Sequence, residues 1–246
     1  MKGIRRKYAA PQAQAEPLKP VMVRGILATL GETPRERRDA ALVVLLFSAA
    51  LRRSEISGLD FLASGSGDGY LTITAEAIEI VLLRSKSRTE PTILRVPRAE
   101  NPGLLAALER WIALAAITSG EPLLHSIKKG GDIGARLRDG GVNVALKACI
   151  ARYLESCGYA PDAARAAAAK FSGHSGRVGM YTAASEAGVA IEAVAALARH
   201  KSLHVAQKPG DRYLVRDGQR VIEAIEALVR IHSAQEEDIY ERVAMS

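Results

Sequence analysis

Aromatic residues are scarce in this chain of 246 residues, making up 4% of it against 48% for all hydrophobic residues. A core assembled from this sequence must therefore be aliphatic, built mostly from alanine, leucine, valine and isoleucine. Such a composition favours packed helices over a β-sandwich. At this length the chain can bury a substantial core, as one large domain or two small ones.

Cysteine is nearly absent as well. The two cysteines, Cys149 and Cys157, lie in one predicted helical segment and form neither a disulfide framework nor a metal-binding signature. We interpret both as reduced thiols in the core of a cytoplasmic protein. No apolar run approaches the length of a membrane span, and none follows the basic N-terminus.

Metal and nucleotide motifs are also missing. No histidine stands at a zinc-binding spacing from a cysteine or carboxylate; His200 and His204 could share a helix face but lack a third ligand. GHSGR has Arg177 where a hydrolase nucleophile elbow needs glycine. The GSGDG loop lacks the strand and helix that flank a dinucleotide site, and no Walker motif is present. The sequence therefore predicts neither a metal nor a cofactor.

Charge and local patterns indicate what is present. The net charge of +7 suits a polyanionic partner. Residues 1–20 are basic and then rich in Ala, Gln and Pro, which predicts an exposed arm or an interdomain linker. Thr33 and Pro34 predict the start of a helix that carries the buried run ALVVLLFSAAL.

The remaining pattern predicts a fold that is mainly α with a small antiparallel three-stranded β-sheet (α+β). The segments LTITAEA, IEIVLLRS and TILRVPR read as the strands, with a polar hairpin tip at SKSRTE. Helical segments resume at about 103–118, 143–157, 161–170, 175–187 and 190–198. Near the end, VIEAIEALVRI has a one-faced apolar stripe of Val221, Ile225, Leu228 and Ile231.

Basic and hydroxyl side chains recur where predicted elements begin or end. Arg52 lies in ALRRSEI three residues before Glu55, and His174 and Arg177 lie in FSGHSGRVG at a spacing typical of one helix face. The other members of the set are Lys86 at the hairpin tip, His200 in ARHKS and Tyr213 in DRYLVRD. Two arginines can grip the non-bridging oxygens of a phosphodiester and stabilise the charge that develops on them.

This ordered set resembles the catalytic domain of the tyrosine recombinases (the phage integrase family), most closely its Cre-like members, over roughly residues 20–232. The resemblance implies that Arg52 and Arg177 hold the scissile phosphate and that Tyr213 attacks it, forming a 3′-phosphotyrosyl link. It implies proton handling by His174, protonation of the departing 5′ oxygen by Lys86, a phosphate contact from His200 and support from Glu55. It also implies the family's catalytic-domain fold over residues 21–246, with residues 217–246 as a C-terminal helix and tail. This segment is either exchanged between subunits or packed within its own subunit.

Several assignments keep alternatives. Arg53 stands next to Arg52 and could be the gripping residue, and His204 is the alternative to His200. Arg199 replaces the glycine that the family usually has before the second histidine, and HVAQKPGD lengthens the path to Tyr213. Tyr240 follows an acidic stretch, and Tyr181 falls mid-helix, where we expect it to pack.

The resemblance predicts a site-specific DNA recombinase that cuts and rejoins strands without metal or ATP. Its expected partner is double-stranded DNA, bound as a tetramer on two sites, with no membrane and no small-molecule substrate. The expected location is the cytoplasm, with association to the nucleoid when DNA is bound. A type IB topoisomerase or telomere resolvase would use the same chemistry, and a catalytically inactive DNA-binding regulator is the alternative from another class.

Overall fold

A computed structural model describes residues 15–63, 65–83, 91–99 and 102–186. The helices in these ranges are α1 (Pro20–Thr29), α2 (Pro34–Ser48), α3 (Arg53–Ser57), α4 (Pro102–Leu114), α5 (Asp139–Ser156), α6 (Pro161–Ala168) and α7 (Ser175–Glu186). The strands are β1 (Leu59–Phe61), β2 (Gly69–Ile73), β3 (Ala77–Leu82), β4 (Thr92–Pro97), β5 (His125–Ile127) and β6 (Ile133–Arg136). The described part is thus mainly helical with a small sheet, as the sequence predicts.

Helix α2 runs through the centre of the core. Its start matches the prediction: the Thr33 hydroxyl accepts from the backbone N–H of Glu36, whose carboxylate accepts from the Thr33 N–H at 3.2 Å. Hydrogen bonds from the Thr33 side chain and then from Arg152 lower the pKa of Glu36 to about 2. The residues from Ala41 to Phe47 are buried on every side, which confirms the interpretation of the apolar run.

The main sheet has the strand order β1-β2-β3-β4. Its three longer strands are antiparallel and correspond to the three predicted segments. The short strand β1 pairs parallel to β2 and was not predicted. Buried Asp60 fixes this strand, since its carboxylate accepts from Arg136 and from the Gly67 N–H. The glycine-rich segment thus folds around a buried carboxylate.

The core is aliphatic, as the composition predicts, apart from a few buried rings. Trp111 is fully buried, and its indole N–H donates to the Leu123 carbonyl at 2.7 Å. Cys149 is also buried, and burial raises the pKa of its thiol well above the ordinary range. Cys157 is exposed, so the prediction that both cysteines are core thiols is wrong for Cys157, which follows the last residue of α5. Both cysteines are free.

The ends of the helices differ slightly from the predicted ends. Helix α5 begins four residues before the predicted segment, at Asp139, and α4 ends at Leu114, four residues early. Helix α7 packs against α2, which brings the segment FSGHSGRVG to the end of the central helix.

Within the described ranges, no helix is both long and apolar enough to cross a membrane. The predicted segment 190–198 and residues 217–246 lie outside the described residues.

Candidate active site

The backbone turns sharply between α2 and α3. Ala50 has a φ of 43°, in the left-handed region that favours glycine, and it is fully buried. An alanine in this conformation costs about 1–2 kcal/mol, which the surrounding packing must offset. After this turn the chain is extended at Arg52 and then enters α3. The turn therefore places Arg52 and Glu55 at the end of the central helix.

Glu55 binds Arg52 through both of its carboxylate oxygens. Its Oε1 accepts from Nη1 of Arg52 at 2.7 Å, and its Oε2 accepts from the backbone N–H of Arg52 at 2.7 Å. Only 3% of the Glu55 side chain is exposed, against 26% of the Arg52 side chain. The guanidinium group is thus held in a fixed direction while part of it stays open to solvent.

Arg177 reaches the same carboxylate from α7. Its Nη2 lies 3.6 Å from Oε2 of Glu55, and its side chain is 1% exposed. One buried carboxylate therefore lies between two arginines that are far apart in the sequence. Two guanidinium charges and one carboxylate leave a net charge of +1, which matches the single negative charge of a phosphodiester.

The glycines of FSGHSGRVG allow α7 to pack closely against α2 and against the backbone at Leu18. A Cβ on Gly176 would collide with the backbone carbonyl of Leu46 in α2, and a Cβ on Gly179 would collide with the carbonyl of Leu18. Helix α7 can therefore approach these two backbone segments only with glycine at both positions. The backbone N–H of Leu18 also donates to the Ser175 carbonyl at 3.0 Å. The glycines thus serve packing.

His174 differs from Arg177 in its environment. It precedes the first residue of α7, its side chain is exposed, and its carbonyl accepts from the Val178 N–H at 3.1 Å. The pKa of His174 is lowered from its ordinary value. Partial loss of hydration has the largest effect, and the positive charges of Arg177 and Arg52 add to it. The two arginines thus favour a neutral imidazole beside them.

Arg53 points to a different partner. Its Nε pairs with the Asp139 carboxylate at the start of α5, and 42% of its side chain is exposed. Arg52, and not Arg53, therefore shares Glu55 with Arg177. Tyr181 lies one turn after Arg177, is half-buried and packs against the core, as expected. Burial raises its pKa, and Arg177 opposes that effect.

The described residues include only part of the predicted site. Arg52 and Arg177 share the carboxylate of Glu55, and the charges of both arginines act on His174. Lys86, His200 and Tyr213 lie outside the described residues, as do the alternatives His204 and Tyr240. Their roles stay predictions.

A polar cavity of about 330 Å³ lies at the far end of α3 from Arg52. Its lining combines Arg136 and Arg138 with Asp68 and Asp139, so its charges balance.

Among the residues that the structure describes, no group of three or more His, Cys, Asp or Glu side chains could hold a metal ion.

Comparisons with known proteins give a match in structure but none in sequence. No protein-family model matches the chain. No curated protein matches it. Among solved structures, an integrase from mycobacterium phage Brujita is similar at a TM-score of 0.48 and 19% sequence identity, over 89% of this chain and 60% of the integrase chain. This chain therefore spans less than two thirds of that integrase.

Proposed function

We propose that this protein is a site-specific DNA recombinase that breaks and rejoins DNA strands through a transient 3′-phosphotyrosyl bond. The observation that carries the proposal is the sharing of buried Glu55 by Arg52 and Arg177. The Glu55 carboxylate holds two guanidinium groups close together, and the three groups have a net charge of +1, which suits a phosphodiester. A histidine with a lowered pKa lies beside the arginines. The net charge of +7 supports a DNA partner.

The proposed reaction conserves the number of phosphoester bonds. The phenolic oxygen of Tyr213 attacks the phosphorus, and the bond from phosphorus to the 5′ oxygen breaks. His174 assists removal of the phenolic proton, Lys86 protonates the departing 5′ oxygen and His200 contacts the phosphate. The arginines stabilise negative charge on the non-bridging oxygens during the transfer. A 5′ hydroxyl of another strand then attacks the phosphotyrosyl bond and releases Tyr213, so no ATP is needed.

The test begins with a pool of nicked duplexes whose central base pairs are randomised. The protein is incubated with this pool in the presence of EDTA and denatured, and protein-linked DNA is recovered and sequenced. The enriched sequence, rebuilt as a nicked duplex, is the recovered duplex of the experiments below. Mass spectrometry should place the DNA on Tyr213, and Tyr213→Phe should abolish the adduct while DNA binding survives.

An adduct on another tyrosine would overturn the assignment of Tyr213, and the absence of any adduct would overturn the proposed function. A type IB topoisomerase uses the same chemistry but yields relaxed circles, whereas a recombinase yields joint products from two duplexes. A catalytically inactive regulator would bind DNA without forming an adduct.

The proposed working assembly is a tetramer on two DNA sites. The apolar stripe Val221, Ile225, Leu228 and Ile231 is the proposed docking face for a neighbouring subunit. Deleting residues 218–246 should then spare binding to a single site and weaken the pairing of two sites. Unchanged cooperativity in the shortened protein would contradict this assembly.

A further inference from the structure

The turn that carries His174 is tied to another helix by a side chain. The backbone N–H groups of Ser172, His174 and Ser175 donate within the turn, at 2.9, 3.2 and 2.8 Å respectively. The N–H of Gly173 donates instead to Oδ1 of Asn143 on α5, at 2.7 Å. Asn143 therefore links the turn to a helix that is remote in the sequence.

The same face of α5 also holds the start of α3. Asp139 and Asn143 are four residues apart, so they are neighbours on one face of the helix. Asp139 pairs with Arg53, the residue after Arg52. A Cβ on Gly173 would lie 2.8 Å from Cβ of Arg53 and 3.3 Å from Oδ1 of Asn143. Helix α5 therefore contacts both segments that contribute to the site, the one with Arg52 and the one with His174.

Building on the proposed function, we infer that Asn143 is a positioning residue for strand cleavage, which fixes His174 relative to Arg52 and Arg177. Gly173 is conformationally permissive, so the backbone beside His174 needs an external partner to select one geometry. Without Oδ1 of Asn143, the partly buried N–H of Gly173 has no acceptor. The turn is then expected to shift so that this N–H reaches water or another acceptor. A misplacement of about 1 Å can cost about 10²-fold in rate.

The test compares three variants at position 143 or beside it. Asn143→Leu keeps the approximate size and removes the acceptor, whereas Asn143→Asp keeps an oxygen at the same place and adds a negative charge. Val144→Leu is the control, since Val144 is 71% exposed on the same helix. Adduct formation is measured on the recovered duplex at saturating protein, and affinity is measured separately by binding titration.

The two variants at position 143 should lose different properties: Asn143→Leu the rate of cleavage, and Asn143→Asp the affinity for DNA. Asn143→Leu should slow adduct formation at saturation by about 10²-fold, with little change in affinity. Asn143→Asp should keep a near-normal rate and bind DNA more weakly, because the added charge repels phosphates. Val144→Leu should change neither. The inference is overturned if Asn143→Leu cleaves as fast as the wild type, or if both variants lose the same rate.

A second measurement needs no DNA and is independent of the proposed function. The charged groups that act on His174 are Arg177 from α7 and Arg52, which precedes α3. If Asn143 holds the turn against them, the pKa of His174 measured by NMR should rise in Asn143→Leu, because the imidazole moves away from the arginines. An unchanged titration would overturn the inference. If the wild type forms no adduct, the proposed function fails, and this titration still decides the role of Asn143.

Discussion

Nη2 of Arg177 lies 3.6 Å from Oε2 of Glu55, and these two side chains are 1% and 3% exposed, respectively. Charges so far removed from water are costly unless they are paired. Glu55 therefore has two effects: it compensates the guanidinium of Arg177 inside the protein, and it orients Arg52, which stays partly open to solvent. Stability and the proposed binding of phosphate therefore depend on the same carboxylate.

Glu55→Gln should destabilise the protein markedly. The amide has nearly the same size, but it removes a negative charge next to buried Arg177, and breaking a buried ion pair typically costs about 3–5 kcal/mol. Urea denaturation at neutral pH measures the loss. Glu109→Gln is the control, because Glu109 pairs with Arg98 at a surface where 52% of its side chain is exposed, and such pairs contribute about 0–1 kcal/mol. Equal stability of the two variants would contradict the role of Glu55.

Arg52→Gln should raise the pKa of His174 in the DNA-free protein. A positive neighbour disfavours the imidazolium form and lowers the pKa, so removing that charge must move the pKa upward, towards its ordinary value. An NMR titration of the histidine ring protons measures the change. Arg110→Gln, at an exposed position on α4, removes the same charge and should leave His174 unaffected. A downward shift, or equal shifts in both variants, would show that His174 does not lie in the field of Arg52.

Gly179→Ala should lower the free energy of unfolding by about 1–3 kcal/mol, the usual cost of overpacking. The added methyl group would collide with the Leu18 carbonyl, which is backbone and cannot rotate away. Gly140→Ala in α5 is the matched control, because a Cβ there meets nothing within 4 Å and alanine favours helix. Thermal unfolding of both variants decides the matter. A Gly179→Ala protein as stable as Gly140→Ala would contradict the close approach of α7 to Leu18.

Sequence patterns predicted the parts of this structure that depend on local signals. Thr33 with Pro34 marked the start of α2, and the β-branched segments marked the three longer strands. Strand β1 was missed because three residues are too few for a period to be recognised, and its anchor, Asp60, depends on distant Arg136. Asn143 was missed for a similar reason: a single amide in a helix carries no signal until the turn that it binds is known.

In the candidate site, too, local sequence patterns pointed to the residues but not to their burial. The resemblance carried by ALRRSEI and HSGR selected Arg52, Glu55, His174 and Arg177 as candidate site residues. It did not predict that Arg177 would be buried while His174 stays exposed, since residues at this spacing were expected to share a helix face. The difference arises because His174 lies before the helix begins, whereas Arg177 lies in its first turn.

Lys86 is the residue whose proposed role can be tested most selectively. A DNA 5′ alkoxide leaves poorly, so loss of the general acid in Lys86→Ala should slow cleavage of the recovered duplex by about 10²–10⁴-fold. A substrate with sulfur at the bridging 5′ position should restore much of the rate, because a thiol with a pKa of about 8.5 leaves as the thiolate. Arg177→Ala should not be rescued, since the oxygens that it stabilises are unchanged. If the sulfur substrate rescues both variants, or neither, Lys86 is not the general acid.

The docking of α7 against α2 has a consequence for the newly made chain. Glu55 and Arg52 emerge from the ribosome long before Arg177, and the second guanidinium joins them only when the glycine face of α7 closes on Leu46 and Leu18. A nascent or truncated chain that ends before α7 has only one of the two arginines that share Glu55. The pair of guanidinium groups around Glu55 therefore forms only after the ribosome has made the chain through α7.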